Sequence, residues 1–502
     1  MAESSSLQYN RGSLLNQSET SIESTGSTKP LIDSSNSSKD WTKRKNSLIL
    51  FVVSFTLVLS PMSATIFYPA IVDIREYFQT TELMVDALAA VFTLFMGTAP
   101  LFWGSYSDTF GQRRKPYLIA IALSIFSSIV CFISPNFWLL MLARVLQACG
   151  AAAMQCLGAG VISDIYSTAE RGRAYGIYFL VYNFGEIGGP IIGGYLTEYF
   201  GWRFIFLFLS IFGVILFIMI FFCLPETLHY QSTNLSTTLS QSSQERTRTK
   251  FNPLSSFKLL RHPNVLLIIL YISSIWLTTV TDYIIIPRIY SSQYHVSSFV
   301  IGLIFLVPGV GFMIGSIIGG KYSDYIISKF TLNEEKEIYP EIRLKSVWFI
   351  CILVPIAFLA YGWFLEMNSK IYWPLISIFI GSFGTLFIVS ILSVYLVDSN
   401  QNNCASVIAL SEFVPAFIGG LCQLISFPLQ NALGVGWMFT LLPKAFFAEN
   451  GFLVIAHQCQ NKWNVLKKGF ENLQRITTGN PERFRECFSE CSTNFGYGHV
   501  IT

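Results

Sequence analysis

Long apolar stretches alternate with short polar breaks along most of this chain. The hydrocarbon core of a bilayer takes about 20 apolar residues per helix. Stretches of that size run over about 47–70, 84–104, 116–135, 137–160, 175–196 and 204–223. A polar stretch over about 228–262 follows, and then come about 264–286, 299–320, 346–366, 371–396 and 404–427. The pattern predicts eleven clear membrane-spanning helices, grouped as six, a break and five. A twelfth is left open. Residues 432–442 (ALGVGWMFTLL) begin an apolar run, but Pro443, Lys444, Glu449 and Asn450 interrupt it before Phe452–Ala456. Central charges cost an inserting helix about 2.5–3.5 kcal/mol each.

Basic residues give the arrangement a direction. Lys43, Arg44 and Lys45 precede span one; Arg113, Arg114 and Lys115 lie between spans two and three; Arg171 and Arg173 follow span four. Arg246, Arg248, Lys250, Lys258 and Arg261 occupy the middle stretch, and Lys321, Lys329, Lys336, Arg343 and Lys345 follow span eight. The span count puts all these breaks on one side, which the positive-inside rule makes cytoplasmic. The opposite breaks hold isolated cations such as Arg75, Arg203, Arg288 and Lys370. The organisation expected is a disordered cytoplasmic tail over 1–46, rich in Ser, Thr and Asn, a six-helix bundle over 47–227, and a cytoplasmic loop over 228–262. A second bundle over 263–456 and a polar tail over 457–502 complete it. The fold class is all-α membrane protein.

Composition agrees with this reading. Hydrophobic residues make up 52% and charged residues 13%, against about 25% charged in soluble domains. A net charge of +3 gives no sign of a nucleic-acid partner. Of the ten cysteines, Cys131, Cys149, Cys156, Cys223, Cys351 and Cys422 lie in apolar runs, where a thiol acts as a small hydrophobe. Cys487 and Cys491 lack a second pair for zinc. No phosphate-cradling Gly-x-x-x-x-Gly-Lys-Ser/Thr loop occurs, the five histidines show no ligand spacing, and no enzyme site or cofactor is expected.

Three motifs carry the chemistry. Residues 104–115 read GSYSDTFGQRRK, and Gly104-Ser-Tyr-Ser-Asp108 returns as Gly320-Lys-Tyr-Ser-Asp324 at the end of span eight, which points to a duplicated half. A small residue there permits close helix approach, and an aspartate near a helix end pairs with a cation or a helix N-terminus. Span four holds Arg144-Val-Leu-Gln147-Ala-Cys-Gly150. Arg144 lies about 10 Å inside the span at 1.5 Å per residue, and an intramembrane arginine is a functional candidate by default. Span five holds Gly185-Glu-Ile-Gly-Gly189-Pro190-Ile-Ile-Gly193-Gly194. Small residues spaced by four let helices touch, and a mid-span proline bends the helix and frees a carbonyl. Glu186 falls at the depth of Arg144, and the two are expected to interact. Desolvation and a neighbouring cation act in opposite senses on a buried carboxyl's proton, which makes Glu186 the first candidate for titration during transport. Glu412, in span eleven, is a candidate for binding cations or protons. Asp282, in the outer third of span seven, either joins that chemistry or reaches the outer interface. Asp86 is expected at the interface, at the mouth of span two.

These motifs resemble the signatures of the major facilitator superfamily. Gly104, Asp108, Gly111 and Arg113 match its loop signature; Arg144, Gln147 and Gly150 match its span-four signature, with Ala148 in place of a glycine. The span-five motif matches, at Gly185, Gly189, Pro190, Gly193 and Gly194, the one associated with exporters that exchange substrate for protons. Leu224-Pro-Glu-Thr227, Tyr361-Gly-Trp363 and Tyr395-Leu-Val-Asp398 extend the likeness to the fungal twelve-span drug:proton antiporters, in the branch of quinidine-resistance, polyamine and dityrosine exporters. The resemblance covers about 40–440. It implies two pseudo-symmetric six-helix bundles, alternating access, and plasma-membrane export of a small organic substrate (hydrophobic cation, weak acid or polyamine) against protons. The alternatives are a proton-coupled importer of small nutrients and a non-transporting membrane sensor or degenerate transporter.

Overall fold

The structure, a computed structural model, describes residues 34–110, 112–166, 168–227, 257, 259–333, 343–344, 347–399 and 404–443. Residues 1–33 of the expected N-terminal tail, the whole C-terminal tail, residues 444–456 of the expected second bundle and most of the middle loop lie outside these residues, as do Gly111 and the side chain of Asp108. The chain falls into two units, Met1–Lys45 and Asn46–Thr502. Of the first unit only the helical start is described. Helix α1 (Ser34–Leu57) begins inside the segment expected as a disordered tail.

Apolar runs with every backbone donor satisfied inside the helix are the form a lipid-facing segment must take, and all described elements are helical. Span one is broken into α1, α2 (Leu59–Thr65) and α3 (Ile71–Phe78), with a 3-10 turn over Tyr68–Ala70 that contains Pro69. Then come α4 (Glu82–Phe110), α5 (Arg114–Ile133), α6 (Phe137–Ile165), α7 (Thr168–Phe200) and α8 (Arg203–Cys223). The second half holds α9 (Pro263–Tyr294), α10 (Ser298–Ile304), α11 (Leu306–Asn333), α12 (Trp348–Glu366), α13 (Tyr372–Ser399) and α14 (Cys404–Pro443). Local chemistry sets the breaks. Asn136 caps α6 by accepting from the Leu139 amide at 2.8 Å, and Gly201 takes a left-handed φ of 96° between α7 and α8.

Ten described segments are long and apolar enough to cross a membrane. Helix α7 is not among them, although its 33 residues are ample in length. Its glycines, Asn183 and Glu186 dilute the apolar run because α7 is built to touch protein. Helix α8, by contrast, shows large side chains outward, Phe222 at 79% exposure among them; that is a lipid-facing surface.

In the first half α5 packs on α6 and α8, α4 on α6, and α2 on α7. In the second, α11 packs on α13, α12 on α13 and α14, and α9 on α14. The halves meet along two seams, α4 against α14 and α7 against α10 and α11. The two ends of the bundle are named the basic face, where Arg113 and Arg343 lie, and the far face.

The end of α14 answers the question of a twelfth span as far as the described residues reach. Gly434 has φ 80° and ψ 168°, so the helix breaks there. The chain then turns back: Gly436 lies against Trp363 and Phe439 against Gly362, and the Trp363 indole donates to Thr440 at 3.2 Å. Residues 435–443 thus run antiparallel to α12, returning from the far face. Glu366 caps this start by accepting from the Val435 and Gly436 amides at 2.8 and 3.3 Å.

Candidate functional site

A cavity of about 160 Å³ opens between the halves, lined by α2, α4, α6, α7, α9, α13 and α14. Glu186 and Glu412 both face it, with Tyr68, Tyr182, Tyr283 and Trp276. Among the described lining residues there is no Lys, Arg or His. Glu186 is half-buried and Glu412 is exposed into the opening.

Helix α7 is shaped to present Glu186. Pro190 has no N–H, so the carbonyl four residues earlier, that of Glu186, loses its helical donor. The Thr65 hydroxyl of α2 supplies one in part, lying 3.3 Å from that carbonyl and 3.0 Å from the Pro61 carbonyl. Gly189 makes the approach possible, since a Cβ there would stand 2.3 Å from the Thr65 Oγ1. The other motif glycines act alike. A Cβ on Gly185 would meet the Val58 carbonyl oxygen at 2.6 Å, and one on Gly193 the Ile66 oxygen at 2.0 Å. Gly194 faces the other half, where a Cβ would meet the Ser298 oxygen at 2.4 Å. The span-five motif is therefore a close backbone contact, made possible by small residues, with the broken first span and, through Gly194, with α10.

The Glu186 carboxyl itself reaches across the seam. Tyr283 of α9 donates to its Oε1 at 2.6 Å. The Tyr283 ring packs on Tyr68 at 5.3 Å and on Phe305 at 5.7 Å between centroids. Tyr68 in turn accepts from the Gln423 amide at 3.3 Å, and Gln423 accepts from Thr93 at 3.1 Å.

The expected pairing of Glu186 with Arg144 does not occur. Arg144 is 1% exposed and lies in the first half's own core, off the cavity. It donates to the Ser63 carbonyl at 3.0 Å and to Gln147 Oε1 at 2.8 Å. Its guanidinium stacks on Phe92 at 3.9 Å and on Phe67 at 4.8 Å. Phe92 also lines the cavity, so an aromatic ring stands between the cation and the chamber. Equal depth in two helices says nothing of which way each side chain turns. Gln147 passes the bond on to Ser128 at 2.8 Å, and a Cβ on Gly150 would collide with the α5 backbone at 2.7 Å. The span-four motif is a packing and hydrogen-bonding device inside one half.

Asp282 is 4% exposed, and its Oδ1 has no hydrogen-bond partner among the described residues. It does not reach an interface, and it is not part of the cavity lining. Asp86, expected at the interface, is fully buried and bonded to Arg288.

At the basic face the repeated motif builds the same bond twice. Arg113 donates to Ser107 at 2.8 Å, and Arg343 donates to the equivalent Ser323 at 2.9 Å. Arg113 also pairs with Asp164 at 3.1 Å, and its amide donates to Glu226 at 2.6 Å. Arg343 reaches Asp324 at 3.2 Å. Gly104 and Gly320 do not make the expected close approach to any described residue: among these, a Cβ on either would meet nothing within 4 Å.

Residues 53–441 match the family described as Major Facilitator Superfamily. The chain belongs to this superfamily. Among its curated relatives, the MFS antiporter QDR3 of Candida albicans is 25% identical, over 82% of this chain and 77% of the relative. Citrate exporter 1 of Aspergillus niger is 28% identical, over 80% and 83%. The multidrug transporter AQR1 of Candida glabrata is 27% identical, over 80% and 74%. Among solved structures, the human organic anion transporter MFSD10 superposes with a TM-score of 0.56 at 17% identity, over 82% of this chain and 99% of that one. A bacterial homologue of the lysosomal transporter Spinster, inward-facing and unoccupied, superposes at 0.54 and 13%, over 82% and 95%. As a member of the superfamily, the chain is a multi-pass membrane transporter, and its likeness to the fungal drug:proton antiporter branch stands with these relatives.

Proposed function

We propose that this transporter is a proton-coupled antiporter that exports small organic cations or uncharged molecules by alternating access. The observation that carries the reading is the Glu186 carboxyl, set in the cavity between the halves and bonded through its side chain to Tyr283 of the opposite half. A proton and a cationic cargo compete for such a group. Its bond partner belongs to the opposite half, so rocking of the halves strains or breaks that bond, and occupancy and conformation are linked. Glu412, exposed in the same cavity, adds a second negative charge, and the surrounding rings suit flat or cationic cargo. Asp282 and Arg144 lie off the lining and take no direct part; Arg144 holds the first half's packing. Under the positive-inside rule the basic face and the N-terminus are cytoplasmic, with the plasma membrane as the site of export.

A relative named as a citrate exporter and a structural neighbour named for organic anions offer the opposite charge class. The lining, with two acids and no described base, favours cations over tricarboxylates. The test is efflux from proteoliposomes after a pH jump, with ethidium, spermine and citrate as probes. The reading expects gradient-driven movement of ethidium or spermine. Gradient-driven movement of citrate alone, or of none of the three, would refute it.

A further inference from the structure

The far face of the cavity is closed by a buried ionic cluster that the proton-coupling scheme does not use. Arg288, near the end of α9, donates to Asp86 at 2.7 Å and to Glu82 at 3.0 Å, both on α4 across the seam. Asp86 and Glu82 are one helical turn apart, so both carboxyls face the same guanidinium. Arg288 also donates to Gln430 of α14 at 3.1 Å and lies over the Phe427 ring at 5.2 Å. Ser426 of α14 donates to the other Asp86 oxygen at 3.2 Å. Arg75 of α3 pairs with Glu82 and, at 3.6 Å, with Glu76. The cluster is buried at its centre: the side chain of Asp86 is 0% exposed and that of Arg288 is 10% exposed.

A second contact closes the other seam at the same face. Glu198 of α7 accepts from the Phe299 amide at 2.9 Å, and Asp73 of α3 accepts from Ser298 at 3.1 Å. In both seams the first half supplies carboxylates and the second supplies donors. At the basic face, by contrast, the described ion pairs of Arg113 and Arg343 stay within one half.

We infer that Arg288 is the positioning residue of a far-face latch, which holds the two halves closed there through Asp86 and Glu82 and must let go for the cavity to open to that side. The inference rests on the alternating-access reading above. The latch suits a reversible gate. A buried cation with two acids is strongly held only while all partners are present, and removing one leaves the others uncompensated. Separation of the halves exposes all of them to water at once, which repays much of the lost attraction. The polar cluster is thus costly to break in part and cheap to break as a whole, which favours two discrete states over a half-open one.

Hydrogen–deuterium exchange on the full-length protein in lipid nanodiscs tests this directly. In Arg288→Gln and in Asp86→Asn, far-face segments 71–90, 286–304 and 424–434 should exchange at least fivefold faster than in the wild type. Basic-face segments 105–118 and 321–330 should be unchanged or slower. Arg288→Lys, which keeps the charge and loses the planar fork, should fall between. Wild-type exchange at the far face in both variants would overturn the inference, as would an acceleration spread evenly over both faces, the mark of simple destabilisation. Absence of wild-type efflux in the vesicle assay, with the far-face pattern intact, would sink the transport reading and leave the latch standing.

Discussion

The hydroxyl of Tyr283, on α9, lies 2.6 Å from Oε1 of Glu186, on α7, and this hydrogen bond, with those of Gln423 to Tyr68 and Thr93, ties the two halves together at the cavity wall. The backbone carbonyl of the same Glu186 takes a donor from Thr65 because Pro190 cannot provide one. Side chain and main chain of one residue are thereby held by different elements, one from each half.

Glu186→Gln should fold and insert normally, since the amide fills the same space and can still accept from Tyr283. Gradient-driven ethidium efflux should fall by at least tenfold while gradient-independent exchange survives. Tyr283→Phe removes a bond to a charged group, which is worth about 1.5–3 kcal/mol, and should slow gradient-driven efflux by about tenfold or more. Initial rates in proteoliposomes, normalised to reconstituted protein, check both.

The span-five glycines are not equivalent. Gly193→Ala would drive a Cβ into the Ile66 carbonyl oxygen, and overpacking of this kind costs about 1–3 kcal/mol. Gly188, in the same stretch, has no described residue within 4 Å of the point where an added methyl would sit, and Gly188→Ala should stay within about 0.5 kcal/mol of the wild type. Melting temperatures in detergent compare the two; equal losses would show that spacing rather than contact governs this helix.

Much of this is legible in the sequence for a physical reason. A lipid-spanning helix must be long and apolar, so α4, α5, α6, α8 and α9 stand out, and a backbone contact demands glycine, so Gly185, Gly189 and Gly193 mark the touching face. Side-chain direction is not legible. Arg144 and Glu186 share a depth, yet Arg144 turns into a cage of Phe67 and Phe92 and Glu186 turns to Tyr283. Tyr283, Tyr68 and Gln423 give no signal of their own, because tyrosine and glutamine are unremarkable in an aromatic-rich chain; only their convergence gives them a role. Taken singly, Arg288 and Asp86 have the look of loop and interface charges. Their spacing in sequence, 202 residues, hides a contact that only the seam between halves creates.

Arg144 should behave as a structural residue. Arg144→Lys keeps the charge and loses both the stacked plane and the fork that reaches Ser63 and Gln147. Cation–π contacts in a desolvated setting are worth about 2 kcal/mol, so the variant should melt several degrees lower. Its ratio of gradient-driven to gradient-independent efflux should match the wild type. A changed ratio with unchanged melting would assign Arg144 to the coupling instead.

Glu366 carries the start of the returning segment after Gly434. Glu366→Ala removes the acceptor for the Val435 and Gly436 amides, and loss of a helix cap costs about 0.5–2 kcal/mol. The melting temperature should drop accordingly, and Glu366→Asp should lie between the alanine variant and the wild type.

The central claim is that a proton and the cargo exclude one another at Glu186, and equilibrium binding tests it without transport. Ethidium affinity of the detergent-solubilised wild-type protein should rise with pH as the competing proton leaves, and binding in weak buffer should release protons. In Glu186→Gln the affinity should be flat with pH, with no proton release. An identical pH dependence in wild type and Glu186→Gln would contradict the account.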